Sequence, residues 1–458
     1  MATRRGPQPA SDLLGGPLVA AGAAFLALAA AAATIPVLAT RPSAIALLAV
    51  ILATALALAR RPLWIVPLYL GFVWAYFPGW LFGGLPSPVE LGGLALTAFA
   101  LWRAAMAPDT GRAVLVVALF LAMPLAISSL VSGTAGGLPG GRFEDLLFLA
   151  IAALCVLGVQ DVSRALTAIA ITGLILGVGA LFSVYVTSTS LFPLELDPSG
   201  VEAPRAAGPF GESNFFALSL ATTIPLQYLL VTRRGWWQLV GIAGIVAVLG
   251  GIVAAGSRGS LLAALAGLAL SAALMKPSAR PSWTVRAAAL AALAATALLL
   301  PTLQSQITSS TERTVSGRAT ENRIAMAMFL DHPVTGVGPD QYPVLYRRYS
   351  REIGNDPRPS REPHNLYLEV LAEQGLAGAL GWLGALLVVG SLVARSGAHR
   401  DPVGRALLLA LATFGVGSVF LHDSLLRLLY VLIGLTIALS CALPAQRSPG
   451  QRAGRPAR

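Results

Sequence analysis

Two arginines beside apolar segments, Arg258 and Arg205, have the chemistry of an anion site. Arg258 lies in Gly256-Ser257-Arg258-Gly259, between two apolar runs with almost no loop between them. A guanidinium near membrane depth is costly unless it is paired or lines a wet cavity. The flanking glycines would let the backbone approach a ligand, and the following helix would offer its N-terminal amides to an anion. A snorkelling interfacial arginine is the alternative for Arg258, and a solvated loop charge is the alternative for Arg205.

His364 is the histidine whose setting suggests proton transfer. A neutral imidazole can take a proton from a hydroxyl near neutral pH. Pro363 fixes the backbone before it, and Asn365 can cap the helix that follows. The sequence therefore indicates a candidate general base, with an ordinary surface histidine as the alternative. His422 is a weaker candidate for the same role.

A long polar insertion, residues 304–365, ends on this histidine. It holds eight arginines: Arg313, Arg318, Arg323, Arg347, Arg348, Arg351, Arg358 and Arg361. Arg318 follows Gly317 at a predicted helix start and is the best ligand candidate among them. Arg323 fits a solvated helix face better and is a secondary candidate.

Known metal and cofactor motifs are absent from the sequence. There is no Gly-rich phosphate loop, HExxH motif, Cys/His cluster or nucleophile elbow. Cys155 and Cys441 both lie in apolar runs. Asp340 is a secondary candidate among the acids, but these form no evident metal triad. We therefore expect chemistry built on arginine and histidine, with no metal and no cofactor.

The elements that must position these residues are membrane-spanning helices. The chain has 458 residues, 56% hydrophobic and 12% charged, with a mean hydropathy of +0.73, whereas soluble domains carry about 25% charged residues. Runs long enough to cross a bilayer lie near 17–39, 43–59, 62–82, 88–106, 113–131, 145–160, 163–186, 214–232, 236–255, 259–275, 284–303, 376–394, 404–421 and 425–443. These runs predict an all-α, polytopic transmembrane helix bundle of twelve to fourteen spans, with one long extracytoplasmic loop containing short helices.

The arginine distribution predicts the topology. With the N-terminus in the cytoplasm, most arginines of the short loops fall inside, and the long insertion falls on the extracytoplasmic side. We expect four parts: a transmembrane bundle of about eleven spans with an outer loop at 187–213 (residues 1–303), a catalytic loop (304–365), C-terminal transmembrane helices (366–443) and a basic cytoplasmic tail (444–458).

Inside the insertion, the pattern predicts two helices separated by a turn. The first covers Gly317 to Leu330 and stops before Pro333. The second carries an aromatic stripe at helical spacing with arginines opposite it, formed by Tyr342, Leu345, Tyr346 and Tyr349. We expect this second helix to lie on the membrane interface.

At these residues the chain resembles the O-antigen ligase and polymerase superfamily. The stretches that carry the resemblance are Arg205 with GPFGESNFFA (208–217), GSRGSLLA (256–263), SGRATENRIAMAMFLDHPVTGVGPDQY (316–342) and EPHNLYLEVLAEQGLAG (362–378). They cover roughly the C-terminal half. The resemblance implies that Arg205, Arg258 and Arg318 bind a lipid-linked diphosphate and that His364 activates an acceptor hydroxyl. Many relatives have tryptophan where this chain has Asn322-Arg323, so Arg323 remains the alternative ligand.

The resemblance implies an inner-membrane glycosyltransferase of polysaccharide or lipopolysaccharide biosynthesis, with its active site facing the periplasm. Its donor would be a glycan on undecaprenyl or another polyprenyl diphosphate, and its acceptor a glycan, lipid or protein. Transfer would invert the anomeric centre without a metal. Membrane lipids are expected partners, and nucleic acid is not. The alternatives are a polysaccharide polymerase, a protein O-oligosaccharyltransferase and a membrane transporter; the scarcity of mid-span charges disfavours transport.

Overall fold

The computed structural model describes residues 64–75, 88–133, 140–156, 158–185, 194–195, 204–275, 311–354, 363–421 and 426–446. Over these residues the chain forms thirteen α-helices and one short pair of strands. The helices are α1 (Ile65–Trp74), α2 (Pro88–Met106), α3 (Pro108–Val131), α4 (Gly140–Leu154), α5 (Val159–Tyr185), α6 (Ser213–Val231), α7 (Trp236–Ala254), α8 (Arg258–Leu274), α9 (Thr311–Asp331), α10 (Tyr342–Glu352), α11 (Leu366–Ser396), α12 (Pro402–Gly417) and α13 (Leu426–Gln446). The strands β1 (Leu194–Glu195) and β2 (Arg205–Ala206) pair antiparallel.

The predicted all-α membrane bundle is confirmed. In the described part of the chain, seven helices are long and apolar enough to cross a bilayer, namely α3, α5, α6, α7, α11, α12 and α13. Shorter apolar helices occur in α1, α4 and α8. Each predicted span that falls wholly or partly within the described residues overlaps a helix, although the helix at 145–160, α4, ends at Leu154 and only residues 64–75 of the span at 62–82 are described. The segments 17–39, 43–59 and 284–303 lie outside the described residues. The chain is a multi-pass membrane protein.

Helix α6 forms the centre of the bundle. Its residues are buried almost all round, and it packs against α5, α7, α8 and α12. Buried polar groups tie it to its neighbours, since the Gln227 amide donates to Ala170 O at 2.6 Å and the Trp74 indole donates to Ser219 O at 3.2 Å. A polar group without water must find a protein partner. These hydrogen bonds connect α6 to α1 and α5.

The insertion builds a small core of its own. Helices α9 and α10 form where two helices were predicted, although α9 begins at Thr311 rather than Gly317. The aromatic stripe of α10 faces protein, while the placement of this helix on the membrane interface stays a prediction. Tyr342, Tyr346 and Tyr349 are buried and pack against α9 residues and the start of α11. Helical periodicity reveals an apolar face, but it does not say what covers that face.

This small core is attached to the bundle at a break in α11. Gly375 has φ 61° and ψ −155°, so the helix is interrupted there and its backbone groups are free to bond elsewhere. Four hydrogen bonds join the break to the turn after α9: Val337 N to Ala372 O (2.9 Å), Gly338 N to Glu373 O (3.0 Å), Leu376 N to Pro333 O (2.8 Å) and Ala377 N to Val334 O (3.0 Å). The backbone groups that the break leaves without helical partners therefore bind the insertion to α11.

We predict that Gly375→Ala destabilises the protein by about 3 kcal/mol, because this backbone conformation is accessible essentially only to glycine. An added Cβ would also lie 2.5 Å from the Val334 backbone. Thermal unfolding in detergent checks the prediction.

Gly390→Ala is the matched control in the same helix. A Cβ at Gly390 has no neighbour within 4 Å, and alanine is the better helix former by roughly 0.5–1 kcal/mol. Equal unfolding temperatures for the two variants would contradict the role given to the break.

Candidate functional site

Arg258 is the first residue of α8 and is presented by a tight turn after α7. Gly256 adopts φ 67° in this turn, and Ser257 donates a hydrogen bond to the Ser260 hydroxyl at 3.0 Å. A Cβ on Gly259 would lie 2.6 Å from the Phe420 ring. Gly259 therefore serves the close packing of Phe420 against α8 rather than the approach of a ligand.

Arg205 is held against the same turn. It lies on β2, where it pairs with Glu195 of β1, and its Nε donates to Ala255 O at 3.1 Å. Ala255 is the C-cap of α7, three residues before Arg258. One turn of the bundle thus anchors two of the predicted ligands, although they lie far apart in sequence.

Arg318 approaches the other two arginines from the insertion. Its side chain is half-buried on α9. Burial lowers the pKa of the Arg318 guanidinium, Glu321 raises it, and the positive charges of Arg205 and Arg258 lower it further. Glu212 raises it by a smaller amount. The three predicted diphosphate ligands therefore lie within electrostatic reach of one another, in a cluster with an excess of positive charge.

His364 contacts a buried carboxylate. Its Nδ1 lies 3.0 Å from Glu321 Oε2, and the Glu321 side chain is only 1% exposed whereas that of His364 is 24% exposed. An ionised carboxylate only accepts hydrogen bonds, so this contact places the imidazole proton on Nδ1. Nε2 is then the ring nitrogen that carries no proton and can accept one, as a general base requires.

The backbone around Glu321 is fixed by the insertion core. The Tyr342 hydroxyl donates to Glu321 O at 2.8 Å, and the Tyr342 N–H donates to Glu373 Oε1 at 3.1 Å. Glu373 lies in α11 two residues before the break at Gly375. The attachment of the insertion to α11 and the carboxylate that orients His364 are therefore parts of one buried hydrogen-bond network.

Arg318 and Glu321 connect the arginine cluster to His364. They lie three residues apart on α9, and residues at this spacing share one face of a helix. Less than one helical turn, about 4.5 Å along the axis, separates their positions. The arrangement can therefore hold an anionic group beside a hydroxyl whose proton is accepted by His364.

A family model matches part of the chain that carries these residues. Residues 243–383 match the family model described as O-antigen ligase. The match covers less than half of the chain and is a similarity to that family. The predicted family resemblance is confirmed, and the match supports a ligase-type membrane enzyme. No curated protein matches the chain.

The matched segment includes most of the candidate site. Arg258, Arg318, Glu321 and His364 lie within residues 243–383, whereas Arg205 lies before them. The contact of Arg205 with Ala255 brings it to the matched segment from outside. The site is therefore assembled from the matched segment and from one preceding loop.

The secondary candidates have different surroundings. Arg323 is exposed on α9, away from the face that carries Arg318. Asp340 is exposed in the turn before α10, where it has φ 59°, a conformation that aspartate tolerates better than most residues. Asn365 caps α11, as expected, because its side chain accepts from Tyr367 N and Leu368 N. His422 lies outside the described residues.

Glu321 is the residue that sequence reasoning missed. In the structure it contacts His364 across 43 residues. The available signal was its spacing from Arg318, which predicts a shared helix face. Spacing alone does not identify the residue on the other side of that face.

We predict that Asn365→Ala costs about 1 kcal/mol of stability, because the first amides of α11 lose their cap. Asn365→Asp keeps an acceptor at the N-terminus and should retain the wild-type stability. Hydrogen exchange at Tyr367 and Leu368, together with thermal unfolding, tests this pair. Equal exchange rates in the alanine variant and the wild type would contradict the capping role.

Proposed function

We propose that the protein is a membrane glycosyltransferase that moves a glycan from a polyprenyl diphosphate, such as undecaprenyl diphosphate, to an acceptor hydroxyl. The observation that carries the proposal is the placement of Arg318 and Glu321 on one face of α9. One residue belongs to the arginine cluster, and the other orients the candidate base. An anionic leaving group and a hydroxyl nucleophile would therefore meet at a single site.

The electrostatics favour a donor with several negative charges. Three guanidinium groups near one another repel, and partial burial increases that cost. A diphosphate would offset the repulsion by accepting several charge-assisted hydrogen bonds, and planar guanidinium groups suit its oxygens. A polyprenyl chain would hold this diphosphate at the bilayer, where α8 begins.

The chemical step then follows from the positions of the charges. The acceptor oxygen attacks the anomeric carbon while its proton passes to His364 Nε2. The bond from the anomeric carbon to the diphosphate oxygen breaks, and its electron pair leaves with the diphosphate. Glu321 stabilises the resulting imidazolium, and the arginines stabilise the developing negative charge. Attack opposite the leaving group inverts the anomeric centre.

The arginine distribution supports the remaining parts of the proposal. It favours an insertion on the extracytoplasmic side, so the transferase would act at the outer leaflet of the inner membrane. Lipid A core, a growing glycan and a protein each offer a hydroxyl of the required kind. The side chains assigned to the reaction supply base and charge stabilisation, so we propose that transfer proceeds without a metal.

We predict that His364→Ala lowers glycan transfer by about 10²–10⁴-fold, because the proton acceptor is lost. Glu321→Gln should lower kcat by about 10²-fold with little change in KM for the donor, because an amide can stabilise the wrong imidazole tautomer. Purified protein is incubated with polyprenyl-diphosphate glycan and separate lipid, glycan and protein acceptors. Transfer is measured with and without a chelator, and the product anomer is determined by NMR.

Glu352→Gln is the control for the loss of a carboxylate, since Glu352 pairs with Arg348 on the exposed surface of α10. It should transfer glycan at the wild-type rate. Full activity in a folded His364→Ala variant would exclude the histidine as base. A product with retained anomeric configuration would contradict the proposed reaction. A failure of every offered acceptor to gain glycan would also contradict it.

We predict that Arg318→Gln weakens donor binding by roughly 10–100-fold, because hydrogen bonds between charged groups are lost. Arg323→Gln, on the same helix but exposed, should bind the donor as the wild type does. Binding of undecaprenyl diphosphate is measured by native mass spectrometry. If Arg323→Gln shows the larger loss, Arg323 replaces Arg318 as the ligand.

A further inference from the structure

A second arginine cluster lines a cavity at the other end of the bundle. The cavity has a volume of about 400 Å³, and its walls include Arg233, Arg234, Arg405, Leu229, Met275 and Val403. Met275 directly follows α8, the helix that Arg258 begins. Seventeen helical residues span about 25 Å, so this cavity and the candidate active site lie at opposite ends of α8, and the predicted topology puts them near opposite faces of the membrane.

Arg233 is built into the wall of the cavity. Its Nη1 donates to Thr167 Oγ1 at 3.0 Å, its Nη2 donates to Ser163 Oγ at 2.8 Å, and its guanidinium lies over the Trp237 ring at 5.8 Å. Burial lowers the pKa of Arg233. Neutral hydroxyls and an aromatic ring orient this charge without neutralising it.

The other two arginines also keep their charge uncompensated. Arg405 donates to the backbone oxygens of His399 (3.1 Å) and Leu274 (3.2 Å), and Arg234 is exposed. Within the part of the chain that the structure describes, no carboxylate forms an ion pair with any of the three. The nearby Asp401 carboxylate accepts from the first amides of α12. The cavity therefore has a strong preference for an anion.

Aromatic and apolar groups place the cavity at the level of lipid headgroups. Trp236 is 61% exposed and stacks on Trp237 with ring centroids 4.0 Å apart. Exposed tryptophan is typical of the membrane–water interface. Leu274, which precedes the cavity residue Met275, is 54% exposed. A lipid-facing apolar surface thus adjoins the arginines.

We propose that this cavity binds the phosphate headgroup of an anionic phospholipid from the leaflet opposite the candidate active site. The guanidinium groups of Arg233 and Arg405 bind the phosphate, and Arg234 adds charge at the entrance. One acyl chain lies against Leu229 and Met275. The volume is in the range of small-ligand sites, and basic pockets between helices on the cytoplasmic side suit anionic lipid headgroups.

Lipid titration of the purified, delipidated full-length protein tests the proposal. Phosphatidylglycerol, phosphatidylethanolamine and inorganic phosphate are added separately, and binding is followed by native mass spectrometry and thermal shift. We expect phosphatidylglycerol to bind at least about tenfold more tightly than phosphatidylethanolamine. The double variant Arg233→Gln/Arg405→Gln should lose about tenfold or more of that affinity, roughly the effect of one charged hydrogen bond.

Two further variants keep the test independent of folding defects. Arg233→Lys retains the charge but loses the guanidinium fork, and Arg234→Gln removes an exposed charge; each should weaken phosphatidylglycerol binding by a few fold. Arg112→Gln is the control, since Arg112 is 79% exposed at the start of α3, on the same predicted face. Equal binding of both lipids, or unchanged binding in these variants, would overturn the site. If inorganic phosphate binds as tightly as phosphatidylglycerol, the cavity is a site for a soluble anion instead.

Discussion

The break in α11 is the constraint on which the candidate site depends. A continuous helix at Gly375 would satisfy its own backbone groups and offer nothing to the turn after α9. Because the helix is interrupted, four backbone hydrogen bonds fix the insertion to the bundle, and Glu373 reaches the N-terminus of α10. The contact between Glu321 and His364 follows from this attachment. The described part of the insertion, residues 311–354, is thereby attached to the helices of the bundle.

The two arginine clusters differ in the groups that surround their guanidinium charges. Near Arg258, guanidinium groups from three separate segments approach one another, and their mutual repulsion favours a multiply charged ligand. Near Arg233, hydroxyls and an aromatic ring orient single charges around a small cavity. The first arrangement suits a diphosphate, and the second suits a single phosphate with an attached chain.

Local features of the fold could be predicted from the sequence because their causes are local. Apolar runs defined the spans, Pro333 marked the end of α9, and Asn365 was expected to cap α11. The position of the tyrosine stripe could not be predicted, because periodicity does not identify what covers an apolar face. The contact between Glu321 and His364 depends on a tertiary attachment across 43 residues. Arg205 and Arg258 were grouped from their residue types, whereas the grouping of Arg318 with them rested on a family resemblance.

The length of α8 has a consequence for the depth of the site. Seventeen residues cover about 25 Å, less than the roughly 30 Å of a typical hydrocarbon core. A span this short thins the bilayer around it or draws its charged end inward. Arg258 would then meet the membrane below the ordinary headgroup plane. The proposed donor, a lipid-linked diphosphate, would then reach the arginines from within the bilayer plane while its hydrocarbon tail stays in the bilayer.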